Sequence, residues 1–238
     1  MRALLLAAGL GTRLRPLTDS VPKCLVEING RPLLDYWIEL LANAGIRDIL
    51  INLHHLPEPV IEYIDSCPYP VNLTTSFEPE LLGTGGTLLK NRDFFLDGPA
   101  MIVHADNFSR FDVGAFIRRY EERSSGIEIT MMTFVADNPS SCGIVELDSE
   151  GVVQGFHEKV ANPPGNLANG AVYIVSSEVR AYVSSLGKSH IDLSTEILPH
   201  YMGRINTFEN RVYHRDIGTP EQLARARQDV TKLPDINL

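Results

Sequence analysis

Three cations, Arg13, Arg15 and Lys23, follow the stretch Ala7-Ala8-Gly9-Leu10-Gly11-Thr12 near the N-terminus. Glycines let backbone N–H groups approach an anion closely, and cations at once downstream neutralise it. That combination suits a nucleoside triphosphate. Two better-known phosphate motifs are absent. Gly9-Leu10-Gly11-Thr12-Arg13-Leu14 has no third glycine where a dinucleotide fingerprint needs one, and no G-x-x-x-x-G-K-[ST] occurs.

Asp106 and Asp216 each close a short apolar stretch, Met101–Asp106 and Val212–Asp216. If both strands belong to one sheet, their carboxylates converge on one divalent ion. Mg²⁺ takes one or two carboxylates together with phosphate oxygens and water. Such an ion, with a triphosphate on the Gly9–Arg15 loop, describes phosphoryl-group transfer by positioning and charge neutralisation. Arg13 would balance the leaving pyrophosphate and Lys23 would hold the α-phosphate. An acceptor phosphate needs its own cation, for which Lys159 is the candidate, while Glu158 accepts from sugar hydroxyls. A phosphate monoester is mostly a dianion at neutral pH, with a second pKa of about 6, and attacks without a general base. No Ser-His-Asp or Cys-His spacing competes with this scheme. His104 and His214 lie two residues before their aspartates and so share a strand face with them. They read as packed histidines rather than ligands.

The totals narrow the class. Net charge is −9, which argues against nucleic acid as a partner, yet residues 1–23 carry Arg2, Arg13, Arg15 and Lys23 against Asp19 alone. A basic patch on an acidic chain suits a small polyanion better than a polymer. No apolar run reaches the roughly 18 residues of a membrane span, and glycines and arginines interrupt the stretch after Ala8, so neither membrane nor signal peptide is expected. Cys24, Cys67 and Cys142 fit neither a disulfide framework nor a zinc site, and the cytoplasm is the expected compartment.

Apolar runs at Arg2–Leu6, Leu25–Ile28, Ile46–Leu53, Val71–Ser76 and Met101–His104 read as strands. Between them, Leu33, Leu34, Trp37, Leu40 and Leu41 recur at helical spacing after Pro32. A second helix follows Pro57, and Asn29-Gly30 marks a turn. This alternation implies a parallel sheet with helices on both faces. Glu78-Pro79-Glu80-Leu81-Leu82-Gly83-Thr84-Gly85-Gly86 reads as a glycine turn able to approach a flat ligand, ahead of a helix around Thr87–Lys90. A glycine-rich helix entry with no ligand is the competing reading. The second half is strand-rich, at Glu128–Val135, Gly143–Leu147, Val152–His157 and Asn169–Ser176, with a hairpin turn at Ser149-Glu150-Gly151. Helices are expected at Val113–Glu122, Glu178–Ser184, Ser194–Met202 and after Thr219-Pro220. The whole reads as one domain over 1–238, with 1–110 mainly nucleotide-binding and 111–238 mainly sugar-phosphate-binding.

Leu6 to Thr18 with Pro22-Lys23 resembles the opening signature of the sugar-phosphate nucleotidylyltransferases. The resemblance continues through Leu82–Gly86, Asp106, Gly143, Glu158-Lys159, Asn169-Gly170 and Asp216-Ile217-Gly218-Thr219-Pro220. It implies a Rossmann-like fold with a mixed, mainly parallel central sheet and a small sugar-binding β subregion. It implies an enzyme joining an NTP to a sugar 1-phosphate with release of pyrophosphate. By that likeness Asp106 and Asp216 bind Mg²⁺, and Arg13 and Lys23 serve the triphosphate. Leu6, Ala8, Gly9 and Gly83 border base and ribose, beside Gly11, Thr12 and Thr84 of the same loops. Gly143, Glu158, Lys159 and Asn169 hold the sugar phosphate.

Within that family the short guanylyltransferases acting on mannose or heptose 1-phosphates look nearest. A carboxylate at Glu78 or Glu80 can accept from guanine N1–H and N2–H₂ together, whereas uracil and thymine offer one donor. UTP, dTTP or CTP with glucose, N-acetylmuramate or other 1-phosphates are the alternatives, and a silent nucleotide-sugar-binding regulator is the remote one. A homodimer is compatible with the family. The chain departs from the usual pattern at Ala105, Cys24 and Cys142, the last of which stands beside Gly143.

Overall fold

The computed structural model describes residues 1–233. The chain runs β1 (Arg2–Leu6), β2 (Glu27–Ile28), β3 (Arg31–Pro32), α1 (Leu33–Asn43), β4 (Asp48–Leu53), α2 (Pro57–Asp65) and β5 (Asn72–Phe77). Then come α3 (Gly83–Lys90), β6 (Ala100–His104), β7 (Asn107–Arg110), α4 (Val113–Glu121), β8 (Ile129–Val135) and β9 (Gly143–Leu147). The remainder is β10 (Val153–Glu158), β11 (Leu167–Val175), α5 (Ser177–Ser185), β12 (Ile205–Glu209), β13 (Tyr213–Asp216) and α6 (Pro220–Val230). Two compact units share these elements. One comprises Met1–Leu81, Val103–Val113 and the chain from Val212 on; the other comprises Leu82–Ile102 and Gly114–Arg211.

In the first unit β1 pairs parallel with β4, Leu6 opposite Asn52, and β4 pairs parallel with β5, Leu53 opposite Phe77. Strands covered on both faces read as continuous apolar runs, and β1 and β4 are buried almost throughout. β2 and β3 close through Asn29 and Gly30, both at positive φ, as a two-residue hairpin turn requires. Pro32, expected to open the helix, instead caps α1 from the end of β3. The apolar stripe of α1 meets α6 in a core of Leu14, Val26, Ile28, Leu33, Tyr36, Phe108, Ile217, Leu223 and Ala226. Thr219 caps α6 by accepting from the Gln222 N–H. Among the described residues β13 pairs antiparallel with β7 alone, Asp216 opposite Asn107, as a ribbon apart from the main sheet.

The second unit is mostly antiparallel. β8 pairs with β11 and β9 with β10, while β12, which the periodicity does not mark as a strand, runs parallel to β8. The β9–β10 turn is held by Asp148 Oδ1, which accepts from the N–H groups of Glu150 and Val152. The helix expected over 194–202 is a wide π turn, Leu193–Ile197, followed by a tight 3-10 turn, Leu198–Tyr201. Pro199, which has no N–H to give, interrupts any regular ladder there. Parallel and antiparallel pairs thus form the mixed α/β fold expected. No helix among the described residues is long and apolar enough to cross a membrane.

Candidate active site

In the first unit the site grows from the loop after β1. Leu14 is buried and its N–H donates to Gly11 O, while buried Thr18 donates its hydroxyl to the same carbonyl at 2.8 Å. These bonds fold residues 11–18 into short turns that leave Arg13 and Arg15 exposed, Arg15 paired with Asp19. Thr12 opens the first of those turns, Ala8 is buried, and Leu6 O accepts from Ala105 N–H beyond β6. Lys23 behaves differently. Its side chain is 6% exposed, and its ammonium donates to Asp106 Oδ2 at 2.7 Å and lies 3.6 Å from Asp216 Oδ1. Arg13 reaches Asp216 Oδ2 at 3.7 Å. A Cβ built on Gly9 would come within 3.8 Å of Asp106 Oδ2, so the glycine loop runs against that carboxylate.

The two acids meet through the β7–β13 ribbon rather than through the main sheet. Asp106 immediately precedes β7, and Asp216 pairs opposite Asn107. Burial pushes the Asp106 carboxyl up, but the Lys23 ammonium, His104 and hydrogen bonds outweigh it and hold it below the usual carboxylate range. His214, two residues before Asp216, contacts Ser109 Oγ through Nδ1 at 2.5 Å. Burial first, then Arg215, depresses its pKa to about 3, so it stays neutral. Among the described residues no cluster of three or more His, Cys, Asp or Glu side chains is arranged to hold a metal. The oxygen donors on hand are the two carboxylates, a set that suits an ion completing its shell with phosphate and water.

Glu78 and Glu80 part ways. Glu80 is exposed, whereas Glu78 is 1% exposed and its Oε1 accepts from Asn52 Nδ2 at 3.0 Å. The same Asn52 accepts the Ala7 N–H at 2.7 Å, and the His54 ring donates through Nδ1 to Glu78 O. A base edge reaches the Glu78 carboxylate only after neighbouring atoms move. Asn52 escaped sequence reasoning; its signal was a lone amide inside Ile49-Leu50-Ile51-Asn52-Leu53.

In the second unit Gly83 to Gly86 are the first turn of α3, not a turn ahead of it. Their close approach is to the protein's own chain. The Gly85 and Gly86 N–H groups donate to Ile191 O at 2.9 and 3.1 Å, and Ile191 N–H returns to Leu82 O. A Cβ on Gly83 would stand 2.5 Å from Ile191 O, and one on Gly85 2.7 Å from Ile191 Cγ2. Thr84 Oγ1 accepts from Leu193 N–H at 2.7 Å and donates to Asp192. These glycines thus admit residues 189–193 against the start of α3.

Gly143 lies directly opposite Glu158 across β9 and β10. A Cβ there would meet Glu158 Oε2 and Phe156 Cζ, each at 2.6 Å, so the glycine gives the glutamate room to cross the strand. Lys159 follows at φ 51, a left-handed conformation costly for a side chain of its kind, with its N–H on Cys142 O and its ammonium 3.2 Å from Glu158 Oε1. Asn169 is one residue beyond Ala168, which pairs with Ile144 next to Gly143. Asn169 donates to the buried Tyr173 hydroxyl at 2.6 Å, a partner the sequence did not single out.

A family model described as nucleotidyl transferase matches residues 2–233. The mannose-1-phosphate guanyltransferase of Schizosaccharomyces pombe is 32% identical over 232 residues, covering 93% of this chain and 62% of that protein. The mannose-1-phosphate guanylyltransferase 1 of Arabidopsis thaliana is 34% identical over 185 residues, covering 75% and 51%. The chain thus spans between half and two thirds of the length of these relatives. Among solved structures, a Bacillus anthracis protein assigned as a glucose-1-phosphate thymidylyltransferase, solved with sucrose, superposes with a TM-score of 0.89. It is 22% identical, over 100% of this chain and 97% of that one. HddC from Yersinia pseudotuberculosis, solved with GMP-PN, gives 0.81 at 24% identity, over 96% and 99%. At those identities the likeness is one of fold.

Proposed function

The chain belongs to the nucleotidyl transferase family, and from that premise we propose that it transfers a guanylyl group from GTP to a mannose- or heptose-type sugar 1-phosphate, releasing pyrophosphate. The observation that carries the reading is the cluster in which the Lys23 ammonium lies between Asp106 and Asp216, with Arg13 on the outer carboxylate. Two acids and two cations at the edge of a glycine loop are more than a structural turn needs. They suit a polyphosphate and its counter-ion.

In this reading the Gly9–Thr12 backbone cradles the triphosphate, Leu6 and Ala8 border base and ribose, and Arg13 draws off charge from the leaving pyrophosphate. Lys23 holds the α-phosphate. Asp106 and Asp216 would hold Mg²⁺, which when bound supplies positive charge to the phosphate oxygens. In the second unit Lys159 binds the acceptor phosphate, Glu158 and Asn169 take sugar hydroxyls, and Gly143 keeps the space that Glu158 occupies. An oxygen of the acceptor dianion forms a bond to the α-phosphorus as the bond from that phosphorus to the pyrophosphate oxygen breaks. No proton need be removed from the nucleophile. Gly83 and Thr84 would shape the base pocket through their place in α3, since the Thr84 hydroxyl is committed to Asp192 and Leu193.

Guanine is favoured by the relatives' names and by exposed Glu80, whose carboxylate can accept from two guanine donors at once. The free thiols of Cys24, Cys67 and Cys142 suit a reducing cytoplasm. The test is a pyrophosphate-release matrix of the four NTPs against mannose, glucose, heptose and N-acetylated sugar 1-phosphates, with Asp106→Asn and Lys23→Ala as controls. Release with GTP and one acceptor, lost in both variants, is the expected result. A pyrimidine preference would remove the guanine argument. No release with any pair would leave the regulatory reading instead.

A further inference from the structure

Asn169 carries an amide whose two ends are both engaged by its own unit. Nδ2 donates to Tyr173 Oη at 2.6 Å, and Oδ1 accepts the Ala171 N–H at 2.9 Å. This pairing has an unusual backbone origin. In a regular strand, residues four apart stand about 13 Å from each other, too far for such side chains to bond. Here the β11 register against β8 breaks between Asn169, opposite Thr133, and Tyr173, opposite Met131. Gly170, Ala171 and Val172 fall between those two pairs, where the partner strand has Met132 alone, and Ala171 takes φ 54. That bulge draws Asn169 back onto Tyr173. Bulges beside a site commonly re-aim one side chain in this way.

Tyr173 is 1% exposed, so its bond to Asn169 is shielded from water. Burial keeps its phenol protonated well above the usual range, Ser194 hydrogen-bonds the same group, and the Glu158 charge acts on it in the same sense as burial. A primary amide has two N–H donors and two acceptor lone pairs. With one of each committed, Asn169 presents one N–H and one lone pair in a fixed orientation. A hydroxyl both donates and accepts, so that remainder matches the hydroxyl edge of a sugar.

We propose that Tyr173 is a positioning residue that sets acceptor selectivity, by locking the Asn169 amide so that its remaining donor and acceptor meet sugar hydroxyls. The inference rests on the acceptor role given to Asn169 above. Tyr173→Phe removes one oxygen and keeps the ring, and Ser194→Ala loosens the same phenol from its other side.

The experiment is calorimetric titration of mannose, glucose and heptose 1-phosphates into protein saturated with a non-hydrolysable GTP analogue. The tightest acceptor is then compared with its monodeoxy counterparts. Loss of one hydrogen bond's ordering predicts about tenfold weaker acceptor binding in Tyr173→Phe, a smaller loss in Ser194→Ala, and less than twofold change for the GTP analogue. One monodeoxy acceptor should bind wild type more weakly than its parent but bind Tyr173→Phe as well as its parent does. Retained acceptor affinity and retained hydroxyl discrimination in Tyr173→Phe would overturn the inference while leaving the transferase reading intact. Equal weakening of analogue and acceptor would mark Tyr173 as merely structural and overturn it too. A wild type that binds none of the acceptors would overturn the transferase reading, and this inference with it.

Discussion

Replacing Gly86 with alanine tests whether the glycine-rich start of α3 serves the chain or a ligand. A Cβ at Gly86 would stand 2.9 Å from Leu82 Cβ and closer still to Ser189 O, so backbone must shift. Overpacking of that kind costs about 1–3 kcal/mol. The shift also strains the N–H bonds from Gly85 and Gly86 to Ile191 O, each contributing about 1 kcal/mol. Alanine's better helix propensity offsets about 1 kcal/mol. The net is about 2–4 kcal/mol, which for a chain of this size lowers the melting temperature by roughly 5–10 °C. Circular dichroism melts of ligand-free protein measure it. Gly165→Ala is the control, because a Cβ there meets nothing within 4 Å. If Gly86→Ala melted with wild type while its GTP affinity collapsed, the packing account would be wrong and the glycine would serve the nucleotide.

Three further outcomes follow from the geometry. Lys23→Met should lower kcat for pyrophosphate release about 10²–10³-fold, the usual loss of one well-placed transition-state donor. It should also lower stability, by about 1–3 kcal/mol, because Asp106 keeps its partial burial without its 2.7 Å partner; urea unfolding reads this. Gly143→Ala should raise KM for the sugar 1-phosphate at least tenfold and leave KM for GTP within twofold, since its Cβ would displace Glu158 Oε2. Steady-state kinetics with each substrate varied in turn would show the split. Burial pushes the Cys24 thiol up to about 12, so a disulfide exchange reagent at pH 8 should titrate Cys67 and Cys142 in the native protein and Cys24 only in denaturant.

Much of the first unit was legible because its signals are local. The apolar runs of β1 and β4, the stripe of α1, the Asn29-Gly30 turn and the Thr219-Pro220 cap each depend on a few adjacent residues. What escaped depends on partners far along the chain. The packing of the α3 glycines on Ser189 and Ile191 was hidden because those residues lie about a hundred positions away. β7 and β12 are short and mixed in polarity, so only their pairings with β13 and β8 identify them. Glu78 looked open to a base because a sequence does not reveal that Asn52 will hold it beneath the surface. The acids were foreseen at strand ends, but the ribbon that unites them was not.

The first unit is assembled from three separated stretches of chain, the last beginning at Val212. Translation therefore delivers Lys23 and Asp106 well before their third partner. At about 5–20 residues per second, roughly 5–20 s separate the synthesis of Asp106 from that of Asp216. Throughout that interval the emerging polypeptide holds Lys23 and Asp106 but no strand to lay beside β7. A nascent chain, or one clipped ahead of Val212, carries the glycine loop yet lacks the second carboxylate that the ammonium meets at 3.6 Å. The ribosome thus finishes this cluster only after the entire intervening unit has been made.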